Sequence, residues 1–294
     1  MNSALAPARD ATTPLGQLRD IVLLSKPRLS TLVMVTCAGG MWLAPGSIAP
    51  VRALLAVLAT AAVVGAANAL NCYLERDLDA RMRRTRDRPL PAGRLDPMVA
   101  LGLGVLVPTF AIPVLALAAG PLTALLALVA LGTYVLVYTP LKRRTPLALF
   151  VGTIPGAIPP AMGWATVTGR LDAGAWALFM VLAAWQLPHY LAVSLYLQDD
   201  YGRAGLPVFA RVHGEAVTRR AILGTTAFLA VASLLPVAAG VAGRAYAAAA
   251  ALLGAGLLWH ALLGLRGRAR WARGFFLSTL AHLTALFAAL ALLR

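Results

Sequence analysis

Charge is scarce in this chain of 294 residues: only 13% of the residues are Asp, Glu, Lys or Arg, whereas 60% are hydrophobic. This balance excludes a soluble globular protein. Apolar segments of about 20 residues, the length that crosses a bilayer as a helix, recur along the whole chain. The composition therefore predicts an all-α polytopic membrane protein, with the lipid bilayer as its first partner.

Cysteine is equally scarce, since the chain has only Cys37 and Cys72. Both fall inside apolar segments, which excludes a disulfide framework and predicts two buried thiols. Residues 1–20 also lack the apolar core and cleavage pattern of a secretory signal. We expect a cytoplasmic N-terminal tail over residues 1–20, followed by a single transmembrane domain over residues 21–294.

Acidic residues are fewer than basic ones, 11 against 26, and the distribution of both predicts a topology. The apolar segments divide into nine predicted spans, near residues 21–44, 51–73, 97–119, 121–138, 147–166, 173–197, 221–241, 245–265 and 271–293. With nine spans, 22 of the 26 basic residues fall on one side. Because Lys and Arg accumulate in cytoplasmic segments, we expect a cytoplasmic N-terminus and an external C-terminus.

The net charge of +15 is explained by this topology and by contact with anionic lipid headgroups. The arginines lie in short loops at the membrane surface, and no segment outside the membrane is long enough to form a binding module. We therefore expect no nucleic acid partner. A multi-pass protein of the cell (inner) membrane is the predicted class.

The most informative polar cluster follows the second predicted span. Asn71, Glu75 and Asp79 are spaced four residues apart and share one face of a helix, whereas Asp77 points roughly the other way. Such oxygen ligands suit a hard cation such as Mg²⁺, and the arginines that follow suit the charge of a polyphosphate. The alternative is a solvated, salt-bridged helix end.

A second cluster ends the sixth predicted span, where Asp199 and Asp200 follow an apolar helix that carries Trp185 and His189. Two acidic clusters that face each other across a bundle would hold a metal-bound diphosphate between them. His189 lies about two and a half turns inside the helix, at membrane depth. An ionisable side chain there faces a cavity or a partner, or forms a structural hydrogen bond.

Between the two clusters lie Lys142, Arg143 and Arg144, followed by a fifth span rich in Gly and Pro. The basic trio either reaches the same diphosphate or anchors the topology. The Gly and Pro residues of the fifth span predict a kinked helix, whose small residues either let its neighbours approach closely or leave a groove.

These motifs together resemble the intramembrane UbiA-type prenyltransferase superfamily and, within it, the protohaem IX farnesyltransferase (haem O synthase) branch. The resemblance covers residues 25–214, and the Trp-x-x-Pro-His and Asp-Tyr elements separate this branch from its relatives. The matching motifs lie at residues 25–28, 71–79, 84–94, 138–146, 159–164, 185–189 and 199–201. Glu75 stands where many relatives have Asp, and Gln198 where a basic residue is frequent.

The resemblance implies farnesyl diphosphate as donor, haem b as acceptor and Mg²⁺ as cofactor. The implied catalytic residues are Asn71, Glu75, Asp79 and Asp200, with Asp199 added as a metal ligand. The implied diphosphate ligands are Arg84, Arg88, Lys142 and Arg143. The implied haem-binding residues are His189 and Trp185. The aromatic residues expected beside a farnesyl cation are Tyr73, Tyr138, Trp164 and Trp185.

A haem A synthase or a terminal oxidase assembly is the partner that the resemblance implies for the product. Two other functions stay open: a UbiA-type enzyme with a phenolic or quinone-precursor acceptor, and a transporter. A transporter would place its ionisable residues near the bilayer midplane, whereas here nearly all are predicted at one interface.

Overall fold

The computed structural model describes residues 13–267 and 270–293, and within these ranges the chain is helical and contains no β-strand. Residues 1–12 of the predicted tail lie outside the described residues. The long helices are α1 (Pro14–Leu24), α2 (Pro27–Leu43), α3 (Pro50–Asp79), α4 (Pro97–Ala119), α5 (Pro121–Leu141), α6 (Ala148–Thr168), α7 (Ala173–Tyr196), α9 (Phe209–Ala238), α10 (Arg244–Gly264) and α11 (Trp271–Leu292). A short helix, α8 (Gln198–Arg203), follows α7.

Proline and aspartate set where the helices begin. Proline opens α2, α3, α4 and α5, at the position where a missing N–H costs nothing. The side chains of Asp96 and Asp172 accept hydrogen bonds from backbone N–H groups in the first turns of α4 and α7. Gly120 and Gly169, with φ of 92° and 69°, allow the chain to reverse after α4 and α6.

Seven helices of the described chain are long and apolar enough to cross a membrane: α3, α4, α5, α7, α9, α10 and α11. The pair α1 and α2 counts as an eighth span if a bend of 51° is accepted within it. The fifth predicted span corresponds to α6, which contains three prolines and is not among these seven helices. The count of nine therefore stays a prediction.

The first predicted span differs from the structure at its start. The helix begins at Pro14, inside the predicted tail, and breaks at Ser25 and Lys26 instead of running on from residue 21. Lys26 has φ of 49°, and Pro27 after it has no N–H to continue the helical ladder. The apolar pattern alone did not reveal this break because residues on both sides of it are hydrophobic.

Helix α6 lies at the centre of the bundle, against α2, α5 and α7. A Cβ at Gly163 would collide with the carbonyl oxygen of Cys37, and a Cβ at Gly40 would collide with that of Pro160. The small residues thus let α2 and α6 approach backbone to backbone, as the sequence predicted. Cys37 and Cys72 are buried free thiols, also as predicted.

A π-helical segment, Thr133–Tyr138, interrupts α5 near its end. It leaves the carbonyl of Tyr134 to accept a hydrogen bond from Thr139 Oγ1 at 2.8 Å. The rings of Tyr134 and Tyr138 stack at 5.7 Å between centroids. Segments of this kind occur often at functional sites, and this one lies beside the acidic face of α3.

Candidate active site

The acidic face of α3 has the phase that its spacing predicts. Asn71, Glu75 and Asp79 are 2%, 4% and 2% exposed, whereas the side chain of Asp77 is 73% exposed. The helical period alone accounts for this division. The prediction that three residues share one buried face and that Asp77 lies outside it is confirmed.

Each of the three buried residues is paired with a cation that comes from a different part of the fold. Lys26 Nζ donates to Asn71 Oδ1 at 2.6 Å, from the junction of α1 and α2. Lys142 Nζ, at the end of α5, lies 2.7 Å from Glu75 Oε2 and 2.5 Å from Oε1. Arg88 Nη1, in the loop after α3, donates to Asp79 Oδ2 at 2.8 Å.

The position of Lys26 depends on a second asparagine. Asn68, one turn before Asn71 and 2% exposed, donates from Nδ2 to the carbonyl oxygen of Ser25 at 3.1 Å and to Ser30 Oγ at 3.3 Å. The left-handed backbone of Lys26 lies between these two anchors. A strained lysine is kept in place by its surroundings, as is common at functional sites.

The segment from residue 80 to residue 96, called the arginine loop here, brings Arg84 and Arg88 to the same place. Thr85 Oγ1 donates to the carbonyl oxygen of Asp79 at 2.9 Å, which folds the loop back onto the end of α3. Asp200 accepts hydrogen bonds from the N–H groups of Arg83 at 2.8 Å and Arg84 at 3.4 Å.

Asp200 therefore contacts the backbone of the arginine loop. It does not line the cavity that lies beside the acidic face of α3. It also pairs with Arg203 Nη2 at 2.7 Å. Burial acts to raise the pKa of the Asp200 carboxyl, but the hydrogen bonds from Arg203, Arg83 and Arg84 outweigh it and hold that pKa below its usual value. Asp199, its neighbour, is exposed.

A cavity of about 400 Å³ begins at this polar cluster and continues between α3, α5 and α6. Along α3 it extends from Asp79 to Thr60, roughly 28 Å at the rise of a helix. Its polar end is lined by Lys26, Asn71, Glu75, Asp79, Arg84, Arg88 and Lys142, and its remainder mainly by apolar residues that include Val33, Val63, Ala127, Leu131 and Met162. Four tyrosines, Tyr134, Tyr138, Tyr190 and Tyr201, complete the wall.

The donor set fits Mg²⁺ only together with an anionic ligand. In the part of the chain that the structure describes, no three His, Cys, Asp or Glu side chains converge on one point. The cavity instead presents two carboxylates and one carboxamide, and buried Glu75 Oε1 accepts no hydrogen bond although Lys142 Nζ is close. Mg²⁺ is commonly held by one or two carboxylates plus substrate phosphates and water, which matches this set.

Several predicted site residues lie elsewhere. Arg143 donates to the carbonyl oxygen of Leu74, is exposed and does not line the cavity. Tyr73 lies under the guanidinium of Arg76, and Trp164 packs against Gly174. Of the four aromatic residues expected beside a farnesyl cation, Tyr138 alone lines this cavity.

Trp185 and His189 face α11 and do not line the cavity either. Trp185 Nε1 donates to the carbonyl oxygen of Thr279 at 2.7 Å, and His189 Nδ1 lies 2.8 Å from Thr279 Oγ1. The two rings stack at 4.5 Å between centroids. The contacts of His189 are those of a structural histidine, which is the alternative that the sequence left open. The haem role of Trp185 and His189 stays a prediction.

Sequence reasoning assigned no site role to Lys26, Asn68, Tyr134, Tyr190 or Tyr201. The signals were present but weak. Lys26 precedes a proline within the 25–28 motif, Asn68 lies one turn before Asn71, and Tyr134 lies one turn before Tyr138. Only the arrangement of the helices around the cavity shows that these side chains line the same space.

Comparisons with known proteins agree with this geometry. The family model described as the UbiA prenyltransferase family matches residues 32–280. The protoheme IX farnesyltransferase of Anaeromyxobacter dehalogenans (strain 2CP-C) is 67% identical over 100% of both chains, and that of Myxococcus xanthus (strain DK1622) is 50% identical over 94% of both.

Solved structures share the fold at low sequence identity. A structure of digeranylgeranylglyceryl phosphate synthase has a TM-score of 0.78 at 14% identity, over 93% of this chain and 97% of that one. A UbiA homolog from Archaeoglobus fulgidus bound to GPP and Mg²⁺ has a TM-score of 0.65 at 14% identity, over 93% and 100%. The chain belongs to the UbiA prenyltransferase family, in its group of protoheme IX farnesyltransferases.

Proposed function

We propose that this protein transfers the farnesyl group of farnesyl diphosphate to a vinyl group of haem b, with addition of water, to make haem O. Full-length relatives named for this reaction, at up to 67% identity, support the choice of donor and acceptor over a phenolic acceptor. One observation of the structure carries the proposal: a buried acid–base cluster opens directly into a long apolar cavity.

The diphosphate of the donor belongs at the polar end of the cavity. Lys26, Lys142, Arg84 and Arg88 line that end. Lys142 and Arg88 pair with the two carboxylates of the acidic face of α3, and Lys26 donates to the carboxamide of Asn71. Arg143, which the sequence also predicted as a diphosphate ligand, would have to leave the carbonyl of Leu74 to reach it. The isoprenoid tail would then lie against the apolar lining along α3.

The residues that would hold Mg²⁺ are Asn71, Glu75 and Asp79. Asp199 and Asp200 keep their predicted metal role only if the arginine loop rearranges. When bound, the metal stabilises negative charge on the departing diphosphate. The ammonium groups of Lys26 and Lys142 and the guanidinium of Arg88 are then free to bind diphosphate oxygens. When the donor binds, the carboxylates thus exchange their basic partners for the metal, and the basic side chains exchange the carboxylates for the diphosphate. Without this exchange, the carboxylates would repel the diphosphate.

The reaction begins when the allylic C–O bond breaks and its electron pair leaves with the diphosphate. The faces of Tyr134, Tyr138, Tyr190 and Tyr201 can stabilise the resulting farnesyl cation without capturing it. The apolar lining excludes water from this cation. The haem vinyl group then attacks it, and water adds to the new cation on the haem and loses a proton, which gives the hydroxyethylfarnesyl side chain.

The proposal includes a location for these steps. We place the acidic face, the arginine loop and α8 at the cytoplasmic interface of the cell (inner) membrane, with nine spans, a cytoplasmic N-terminus and an external C-terminus. The basic residues in these segments support this orientation. A haem A synthase or a terminal oxidase assembly would receive the product.

A competition assay tests the acceptor. Purified protein in lipid nanodiscs, farnesyl diphosphate and Mg²⁺ would be offered haem b together with a phenolic acceptor such as 4-hydroxybenzoate, and products would be separated by mass. We expect farnesylated haem and unmodified phenol. Farnesylation of the phenol with haem unchanged would show that the fold is right and the acceptor is wrong.

A further inference from the structure

A buried ion pair lies outside the cavity, between α1 and the arginine loop. Asp20 on α1 is 5% exposed, and its two carboxylate oxygens accept hydrogen bonds from Arg94 Nε at 3.0 Å and Nη2 at 3.1 Å. Neither residue lines the cavity. This is a forked, two-point pair, the geometry in which an arginine and a carboxylate fix each other's orientation.

Arg94 connects Asp20 to the turn that carries Arg88. Its Nη1 donates to the carbonyl oxygen of Asp87 at 3.1 Å, and its backbone N–H donates to that of Pro89 at 2.9 Å. Arg88 lies between these two contacts, and its guanidinium reaches Asp79 in the cavity. The ion pair therefore fixes the turn from both sides of Arg88.

The other half of the arginine loop is held by a second carboxylate, through its backbone. There the carboxylate of Asp200, on α8, binds the N–H groups of Arg83 and Arg84. Two buried carboxylates on separate helices thus hold the two halves of the loop over the polar end of the cavity. The sequence predicted a role for Asp200 and none for Asp20.

Helix α1 also presents an apolar face to its surroundings, with Leu15, Leu18 and Val22 exposed. An amphipathic helix of this kind lies in the membrane interface. Its next turn leads into Lys26, which contacts Asn71. The junction after α1 therefore reaches the acidic face of α3 through Lys26, and α1 itself reaches the arginine loop through Asp20.

We infer that Asp20 is a positioning residue: through Arg94 it holds the turn of Arg88 over the cavity, so that the donor diphosphate meets a preformed cationic site. The inference rests on the proposed function only in assuming that a diphosphate binds at this end of the cavity. It assigns Asp20 and Arg94 to donor binding and not to the acceptor or to the chemistry.

Calorimetric binding of inorganic diphosphate with Mg²⁺, in nanodiscs, tests the inference without relying on turnover. We expect Asp20→Asn and Arg94→Gln each to weaken binding about tenfold, and the double variant to be no worse than either single one, because the pair acts as a unit. Arg94→Lys keeps the charge but loses the fork and should lie between wild type and Arg94→Gln. Asp77→Asn, an exposed change of the same kind on the outer face of α3, is the matched control and should bind as wild type does.

Two further measurements separate positioning from general damage. Hydrogen exchange over residues 81–95 should speed up in both single variants, while haem b binding stays at the wild-type level. Unchanged diphosphate affinity in both variants would overturn the inference, and so would an equal loss of haem and diphosphate binding. If wild type binds diphosphate tightly but makes no farnesylated haem, the proposed function fails and this inference stands.

Discussion

Individual basic side chains stabilise the buried acidic face of α3 inside this membrane protein. Asn71, Glu75 and Asp79 are buried, and each is matched by a cation that the fold brings from a distant segment. Removing one partner of such a buried pair leaves an uncompensated group, which costs far more than the pair contributes. We propose that the same cations bind the diphosphate, so their substitution is expected to alter metal and donor binding in opposite directions.

The first prediction concerns the phase of α3. Asp79→Asn should lower turnover by at least about a hundredfold, because it removes one of the two carboxylates that we propose hold Mg²⁺ on the acidic face of α3. Asp77→Asn should leave turnover nearly unchanged. Farnesyl transfer measured on equal amounts of folded protein checks this. Similar losses in the two variants would show that both faces of α3 take part and that the single-face assignment is wrong.

The second prediction concerns Lys142. Lys142→Met should tighten binding of Mn²⁺ alone, because Glu75 no longer has a competing ammonium group, and should weaken binding of magnesium diphosphate about tenfold. Calorimetry with each ligand separates the two effects, and exposed Arg144→Met is the matched control. A loss of affinity for both ligands would contradict the exchange of partners proposed here.

The helical period predicts which residues share a face of α3, but it does not predict which side chains of other helices they contact. The shared face of Asn71, Glu75 and Asp79 follows from the helical period alone. The contacts of Lys26, Asp200 and His189 depend on which helix lies opposite, and no local pattern contains that information. Asp200, whose metal role stays a prediction, binds backbone N–H groups of the arginine loop.

At the scale of whole helices, the sequence likewise predicts some features and misses others. Hydropathy located seven of the spanning helices because a long apolar segment can be satisfied only as a helix in lipid. It did not locate the break at Lys26 or the π-helical segment of α5, since both change the backbone without changing the apolar pattern. Those two irregular places supply Lys26, Tyr134 and Tyr138 to the cavity.

The third prediction concerns the contact between α2 and α6. Gly163→Ala should destabilise the protein by about 1–3 kcal/mol, because the new methyl group collides with the carbonyl oxygen of Cys37. Gly102→Ala, on α4, meets no atom within 4 Å and should be neutral or slightly stabilising. Thermal unfolding in one detergent compares them, and equal stability of the two variants would mean that α2 and α6 are not in backbone contact.

On the scale of the whole molecule, one contact shows which connections lie on the same side of the membrane. The arginine loop and α8 come from connections four predicted spans apart, yet Asp200 contacts Arg83 and Arg84 directly. Both connections must therefore lie on the same side of the membrane. This agrees with the even number of spans that the charge pattern predicts between them.

The fourth prediction follows from this orientation. In a background without Cys37 and Cys72, single cysteines at Arg86 and Arg211 should be protected from an impermeant maleimide in intact cells, and one at Asp172 should react. After lysis all three should react. Labelling of Arg86 and Arg211 on opposite sides would separate the two halves of the proposed site by a bilayer.

The central claim is that farnesyl transfer to haem occurs with water addition at the acidic face of α3, and one labelling measurement tests it. Wild type and Asp79→Asn would be incubated with farnesyl diphosphate, Mg²⁺ and haem b in water enriched in oxygen-18, and the haem products weighed. The account predicts a wild-type haem product that carries one farnesyl group and one oxygen-18 hydroxyl, and almost none from Asp79→Asn. A farnesylated haem without the label, or equal product from both proteins, would contradict it.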